Sequence, residues 1–254
     1  MLFRSVMDIK DLKLQKVTDR IYYLPNLEAF DWPTLGLVIG DKHTLMLDSG
    51  RSRRHTAVFL DRLRQNNLPM PDMCAITHWH WDHTYGLASL GNIISFANKD
   101  TIKLIRNMQT WGWSDEEMRH RIETGEDLEF SYPNINAEYP DKSQIKIATP
   151  TVEYDDHLTV DLGGVHAQMK VIENSHSYDS RVIYIPEEKT IFLGDICYED
   201  LLPIRPVYYR NKHAKLMNGL QKMDFDKAIP GHQPLMTGDE IYNMLAQAEL
   251  IDFE

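Results

Sequence analysis

Alternating apolar and polar positions open the described pattern: residues 13–24, 35–39 and 43–48 alternate or carry β-formers and predict strands, with Gly40-Asp41-Lys42 as the turn between the last two. The period then lengthens. Across 54–65, Val58, Leu60 and Leu63 fall at helical spacing, and Asn66-Asn67-Leu68-Pro69 stops the helix. A continuous apolar run at 73–77 predicts a buried strand, and 84–90 a further helix. The second half predicts strands at 151–161, 165–172, 182–185 and 190–193 before a closing helix at 240–250. This mixture of strands and helices places the chain in the α/β class.

Between 98 and 148 the pattern turns polar and aromatic. Residues 101–110 read as a helix, Ser114 with Glu117 three positions on forms a capping box, and Tyr132-Pro133-Asn134-Ile135-Asn136 breaks the periodicity. Such an excursion between scaffold elements serves as an active-site lid or an oligomer contact, so a homodimer is one expectation. Trp111 and Trp113 flank Gly112. They either pack the excursion onto the body or line an acyl or aryl pocket.

Chemistry concentrates in His78-Trp79-His80-Trp81-Asp82-His83, directly after the apolar run. Two histidines spaced by two on an extended segment point to the same side, so His78 and His80 can grip one ion together. Asp82 and His83 point elsewhere, and one loop can thereby reach two ions. Imidazole with carboxylate suits zinc, iron or manganese better than calcium or magnesium. Trp79 and Trp81 alternate with the ligands and should face the core or a pocket wall. Three further candidates, His176, Asp195 and His232, each stand where a strand gives way to a loop, the place where rigid scaffolds commonly put functional side chains.

In these seven positions and their order, the chain resembles the metallo-β-lactamase superfamily of hydrolases, with its H-x-H-x-D-H motif and later His, Asp and His ligands. The resemblance implies a four-layer αββα sandwich with metals at one edge of the two sheets. It also implies that His78, His80 and His176 hold a first metal, that Asp82, His83 and His232 hold a second, and that Asp195 bridges them. Asp48 matches an acidic position that braces the ligand loop, as ligating imidazoles require. Two divalent ions, most readily zinc with manganese or iron as alternatives, would generate a bridging hydroxide near neutral pH. That hydroxide would cleave a carboxylic ester, lactone or thioester of a small molecule, with Asp82 carrying the proton afterwards. A phosphodiesterase is the alternative, because the same nucleophile serves either electrophile.

Tyr198, three residues after Asp195, matches the tyrosine of N-acyl homoserine lactonases in this superfamily, where a phenol can donate to a developing oxyanion. His176-Ser177-Tyr178-Asp179 is instead similar to the run in true β-lactamases. Asp82 and a bridging Asp195 do not fit the ligand set of those enzymes, so antibiotic hydrolysis is not expected. Tyr85-Gly86 stands where the superfamily usually has Gly-Gly. A di-iron redox protein of the flavodiiron type would carry glutamate in place of His80, and a non-catalytic scaffold would be expected to have lost ligands.

Composition narrows the partners. The 254 residues are 43% hydrophobic, enough for one large core and a single domain over 1–254. A formal charge of −11 disfavours a nucleic-acid partner. The only two cysteines, Cys74 and Cys197, suggest no disulfide framework and read as small buried hydrophobes. Charges interrupt the first eleven residues where a secretory leader would need an apolar core, and no run approaches the roughly 20 apolar residues of a membrane span. A cytoplasmic location without membrane contact is the expectation. Under the phosphodiesterase alternative, Arg205 and Arg210, near Tyr208 and Tyr209, would be the phosphate contacts. His43, His55, His120, His157, His166 and His213 have no ligand partners nearby in sequence and read as surface or core histidines.

Overall fold

A computed structural model describes residues 8–202 and 205–252. Most of the segment read for a leader, residues 1–7, lies outside them. One sheet takes its strands in chain order: β1 (Gln15–Lys16), β2 (Ile21–Leu24), β3 (Leu35–Ile39), β4 (Thr44–Leu47), β5 (Met73–Ala75), β6 (Ile94–Asn98) and β7 (Val152–Tyr154). Neighbours run antiparallel as far as β4 and parallel from there to β7. The other sheet contains β8 (His157–Asp161), β9 (His166–Val171), β10 (Arg181–Ile185) and β11 (Thr190–Gly194). A small parallel ribbon, β12 (Tyr208–Tyr209) with β15 (Leu250–Ile251), stands apart, and β13 (Lys227–Pro230) and β14 (Met236–Thr237) complete the second sheet in the order β14-β13-β11-β10-β9-β8.

Side-chain alternation along the strands builds three apolar layers. Leu45, Leu47, Met73 and Ala75 meet Ile183, Ile185 and Phe192 between the sheets. The opposite face of the first sheet, through Met46, Cys74 and Ile76, packs on Phe59 and Leu63 of α1 (Arg53–Gln65). Outer residues of the second sheet, among them Val182, Ile191 and Leu193, pack on later helices through Leu216, Leu220, Ile241 and Leu245. The architecture is therefore the αββα sandwich that the resemblance implied. Both cysteines are buried, and burial pushes the Cys197 thiol up to about 12.

Several elements differ from the reading of local pattern. Residues 13–24 form two short strands with a turn between them, because the Thr18 hydroxyl accepts from the backbone N–H groups of Arg20 and Ile21. Residues 151–161 divide at Asp155-Asp156, so that β7 joins the first sheet and β8 the second. The helix expected at 84–90 begins earlier, as α2 (Trp81–Thr84), and continues as a 3-10 turn over Tyr85–Ser89.

In the excursion, α3 (Lys99–Met108) and α4 (Asp115–Glu123) match the expected helices, with the Ser114/Glu117 capping box formed. Pro133 does not break structure. It occupies the first turn of α5 (Ser131–Glu138), where backbone N–H groups have no intrahelical partner to lose. Strand β6 and helix α6 (Arg210–Gln221) lie outside the expected elements, although His213, Leu216 and Leu220 carry a helical spacing; α7 (Gly238–Ala246) precedes β15.

The excursion has its own small core, in which Ile105, Met108, Met118, Ile135 and Tyr139 surround Trp79, Trp81 and Tyr85 from the metal-ligand loop. Arg51, fully buried, fastens it: its guanidinium donates to the carbonyls of Phe30 and Asn134 and lies 4.2 Å from the centre of the Trp81 ring. No helix among the described residues is long and apolar enough to cross a membrane.

Candidate metal centre

The ends of β5, β11 and β13 and the loop after β9 converge at one edge of the sandwich. His78 and His80 follow β5, and Asp82 and His83 sit in the first turn of α2. A register shift between Phe192 and Gly194 in the β11–β13 pairing precedes Asp195, a bulge of the kind that re-aims a side chain. Two glycines permit the close approach of these loops. A Cβ on Gly86 would lie 2.0 Å from the Ser49 carbonyl oxygen, and one on Gly231 would lie 2.0 Å from Asp195 Oδ1. Where the superfamily has its first glycine, Tyr85 is buried against Trp81 and Trp113 with ring centres 5.9 Å away in each case.

All seven expected ligands come together in two groups that share Asp195. His78, His80, His176 and Asp195 form one; Asp82, His83, Asp195 and His232 form the other; within each group the ligand atoms lie within 4.8 Å of one another. His80 Nδ1 is 3.0 Å from His78 Nε2 and 2.9 Å from His176 Nε2. Asp195 Oδ2 is 3.3 Å from His83 Nε2 and 3.4 Å from His232 Nε2, and His232 Nε2 is 3.1 Å from Asp82 Oδ2.

Hydrogen-bond accounting shows which nitrogens are available to a cation. His176 Nδ1 lies 2.9 Å from the Glu199 carbonyl, which can only accept, so Nε2 keeps its lone pair for the centre. His83 Nδ1 donates to Asp48 Oδ2 at 2.8 Å, and the same carboxylate accepts the Thr77 hydroxyl. With that proton committed to Asp48, Thr77 Oγ1 accepts from His78 Nδ1 at 3.0 Å. Asp48 thus sets the tautomers of two ligands, one directly and one through Thr77. It does so from a left-handed backbone (φ 53°), a conformation aspartate tolerates better than most residues.

His83 Nε2 and Asp195 Oδ1 are buried without a hydrogen-bond partner. Orphaned donor atoms among converging imidazoles and carboxylates fit divalent cations, and the N/O donor set suits zinc, manganese or iron.

Charge differs between the groups. Burial holds His78 well below the usual imidazole range, and burial with His176 brings His80 down to about 3, so both are neutral imidazoles. In the second group burial would also lower the imidazoles, but Asp195 and Asp82 push His83 well up and His232 up to about 10. Burial would raise both carboxyls, yet His83 and His232 hold Asp82 and Asp195 well below the ordinary range. A field that retains protons there also favours a divalent ion.

A cavity of about 370 Å³ opens beside both groups, walled by Glu28, Asp31, Trp81, Phe130, Tyr198 and Glu199 among others. The Tyr198 hydroxyl accepts from the His232 backbone N–H at 3.1 Å. Burial, with Asp195 beside it, pushes this phenol well up. Arg205 and Arg210 do not line the cavity: Arg205 is exposed and Arg210 pairs with Asp252 at 2.8 Å. Among the other histidines, His55 is a core residue stacked on Trp32 at 4.3 Å, and His43 and His166 pair with Asp72 and Glu187.

Sequence reasoning missed Asp31, and it noted Asp179 only as part of the run after His176, without a role. Asp31 Oδ1 lies 3.7 Å from His232 Nδ1, and burial with Asp82 pushes its carboxyl up to about 6. Asp179 accepts from the hydroxyls of Ser177 at 2.5 Å and Thr101 at 2.7 Å and from the Trp79 backbone N–H. It therefore ties the His176 loop to both α3 and the His78–His80 segment. An acidic residue three positions beyond a ligand histidine was the available signal. Asp179→Ala is expected to weaken metal binding by about 10- to 100-fold, the usual cost of removing a group that orients ligands. Competition with a chromophoric chelator would measure it; unchanged affinity would sink the tethering role.

Sandwich, ligand set and flanking cavity together define a metal-dependent hydrolase class. The model of the metallo-beta-lactamase superfamily matches residues 33–232, and the chain belongs to that superfamily. Among solved structures it resembles a metallo-beta-lactamase from Pontibacter korlensis, at 16% identity and TM-score 0.65 over 92% of this chain and 97% of that one. It is also similar to the DIM-1 metallo-beta-lactamase, at 18% identity and TM-score 0.64 over 92% and 95% of the two chains. The sec-alkylsulfatase Pisa1 from Pseudomonas sp. shares 16% identity at TM-score 0.66 over 92% of this chain but 40% of its own. These are likenesses of fold. No curated protein matches the chain.

Proposed function

We propose that the chain is a dinuclear metal-dependent hydrolase that cleaves a carboxylic ester, lactone or thioester of a small molecule. The observation that carries this reading is the charge of the cavity wall. Glu28, Asp31 and Glu199 face it in addition to the ligand carboxylates, and no lysine or arginine lines it among the described residues. Away from the ions themselves, a phosphodiester, a sulfate ester or a carboxylate-bearing lactam would find only carboxylates on this wall and no side-chain cation. A neutral acyl group avoids that cost.

In this reading His78, His80 and His176 would hold one ion, Asp82, His83 and His232 the other, and Asp195 would contribute to both. Bound there, two divalent ions, zinc first and manganese or iron on the same donors, would supply Lewis acidity and an acidified water. The chain's own groups do the rest. Asp82 stands beside the cavity to accept a proton and pass it to the leaving group. Tyr198 remains protonated at neutral pH, and because its oxygen accepts from the His232 N–H, its own proton is free to donate to substrate oxygen.

Tyr198→Phe should lower kcat/KM by about 10²-fold, the scale of losing one donor to a developing oxyanion, with metal content unchanged. Equal rates for the two proteins would remove the phenol from the reaction. The whole reading is tested by turnover of the metal-loaded protein on lactones, esters and thioesters beside an aryl phosphodiester and an alkyl sulfate. Acyl hydrolysis is expected; turnover of the phosphodiester or sulfate alone would overturn it.

A further inference from the structure

A second cavity of about 300 Å³ reaches the metal centre from the side of the excursion. Trp79, Leu104, Asn107 and Trp111 wall it, with Glu126, Asp200 and Lys212 also in its lining, and Tyr178 borders it. Three residues border both this space and the first cavity: His80, His176 and Leu128. The first two are expected ligands. Leu128, between α4 and α5 and 5% exposed, is accordingly the side chain that divides the cleft beside the ions.

The wall of the second cavity is built in advance. Trp79 and Trp111 meet edge to face at 6.3 Å, and the Arg121 guanidinium lies 4.4 Å above the Trp111 ring while it donates to the Gly112 carbonyl at 2.7 Å. Large apolar side chains are also left exposed at both mouths, Phe130 at 52% on the first and Tyr178 at 61% on the second.

We propose that the substrate lies across the metal centre with its scissile bond at the ions, that an apolar alkyl or aryl group on one side of that bond occupies the Trp79–Trp111 cavity, and that Leu128 is a specificity-determining residue. This deepens the acyl-hydrolase reading and rests on it. The reacting group must pass beside Leu128 to extend into both spaces. Each methylene that enters the second cavity should raise kcat/KM by about fourfold until it is filled, from the free energy of burying one CH₂.

The test uses the metal-loaded full chain and two series of aliphatic esters, lengthened on the acyl side or on the alcohol side. Asn107→Phe adds bulk to the second cavity from an exposed position on α3. It is expected to abolish the length gain in one series and leave the gain in the other intact; loss of neither gain would overturn the proposal. Leu128→Ala should admit esters branched beside the carbonyl, and unchanged discrimination against them would remove Leu128 as the determinant. Occupancy is read separately by quenching of tryptophan fluorescence with a brominated medium-chain alcohol. Quenching that Asn107→Phe removes, in a protein inactive on every ester, would overturn the acyl reading while supporting the cavity assignment; equal quenching in both proteins would overturn the assignment itself.

Discussion

Asp195→Ala is expected to reduce bound metal from two equivalents to at most one and to lower hydrolysis by more than the roughly 10- to 100-fold that outer partners of a metal site command. The reason is geometric. Asp195 Oδ2 lies 3.3 Å from His83 Nε2, 3.4 Å from His232 Nε2, 3.7 Å from His176 Nε2 and 3.9 Å from His78 Nε2, so one carboxylate serves both groups. Without it the first group consists of three imidazoles with no anionic ligand, and the second depends on Asp82 alone. Elemental analysis after gel filtration, paired with a rate on the best ester, measures both effects. A variant that keeps two tightly bound ions and the full rate would show that Asp195 bridges nothing.

Asp48→Ala should have the largest effect on stability. The carboxylate accepts from the Thr77 backbone N–H at 2.7 Å, from the Thr77 hydroxyl at 2.8 Å and from His83 Nδ1 at 2.8 Å, all of them buried. Leaving buried donors unsatisfied costs about 1–3 kcal/mol each, and alanine is additionally strained at the left-handed backbone of this position. A loss of about 3 kcal/mol or more corresponds to a fall in melting temperature on the order of 10 °C for a chain of this size. Asp48→Asn separates fold from site. It tolerates the left-handed backbone and still accepts from Thr77, but cannot accept from His83 Nδ1 with its amide nitrogen. Its melting temperature should fall by less than that of the alanine variant while metal affinity falls about 10- to 100-fold. If the asparagine and alanine variants melt alike, the carboxylate and its bond to His83, rather than the left-handed backbone, carry the effect.

The candidate site was legible to an unusual depth because four of its ligands fall within six consecutive residues, and the alternation of an extended segment assigns His78 and His80 to one side without any tertiary information. The remaining three were recognisable by their position at strand ends. Pattern failed where two elements of the same local character have different destinations: nothing in residues 151–161 shows that β7 and β8 belong to opposite sheets. It also failed at Pro133, where a residue read as a breaker is accommodated by the first turn of a helix.

Residue type and periods of a few positions carry the expected donor set, the apolar faces and the likeness to the superfamily. Which nitrogen of each imidazole is committed elsewhere, how Asp179 and Arg51 fasten the excursion to the loop of expected ligands, and where Leu128 stands between two cavities are settled by long-range packing. The contacts responsible join residues far apart in the chain; the Asp82–His232 pair spans 150 positions. Short-range periodicity encodes which side of an element is buried. It carries no record of what is buried against it, and that is settled by the packing of the two sheets and the excursion around the metal centre.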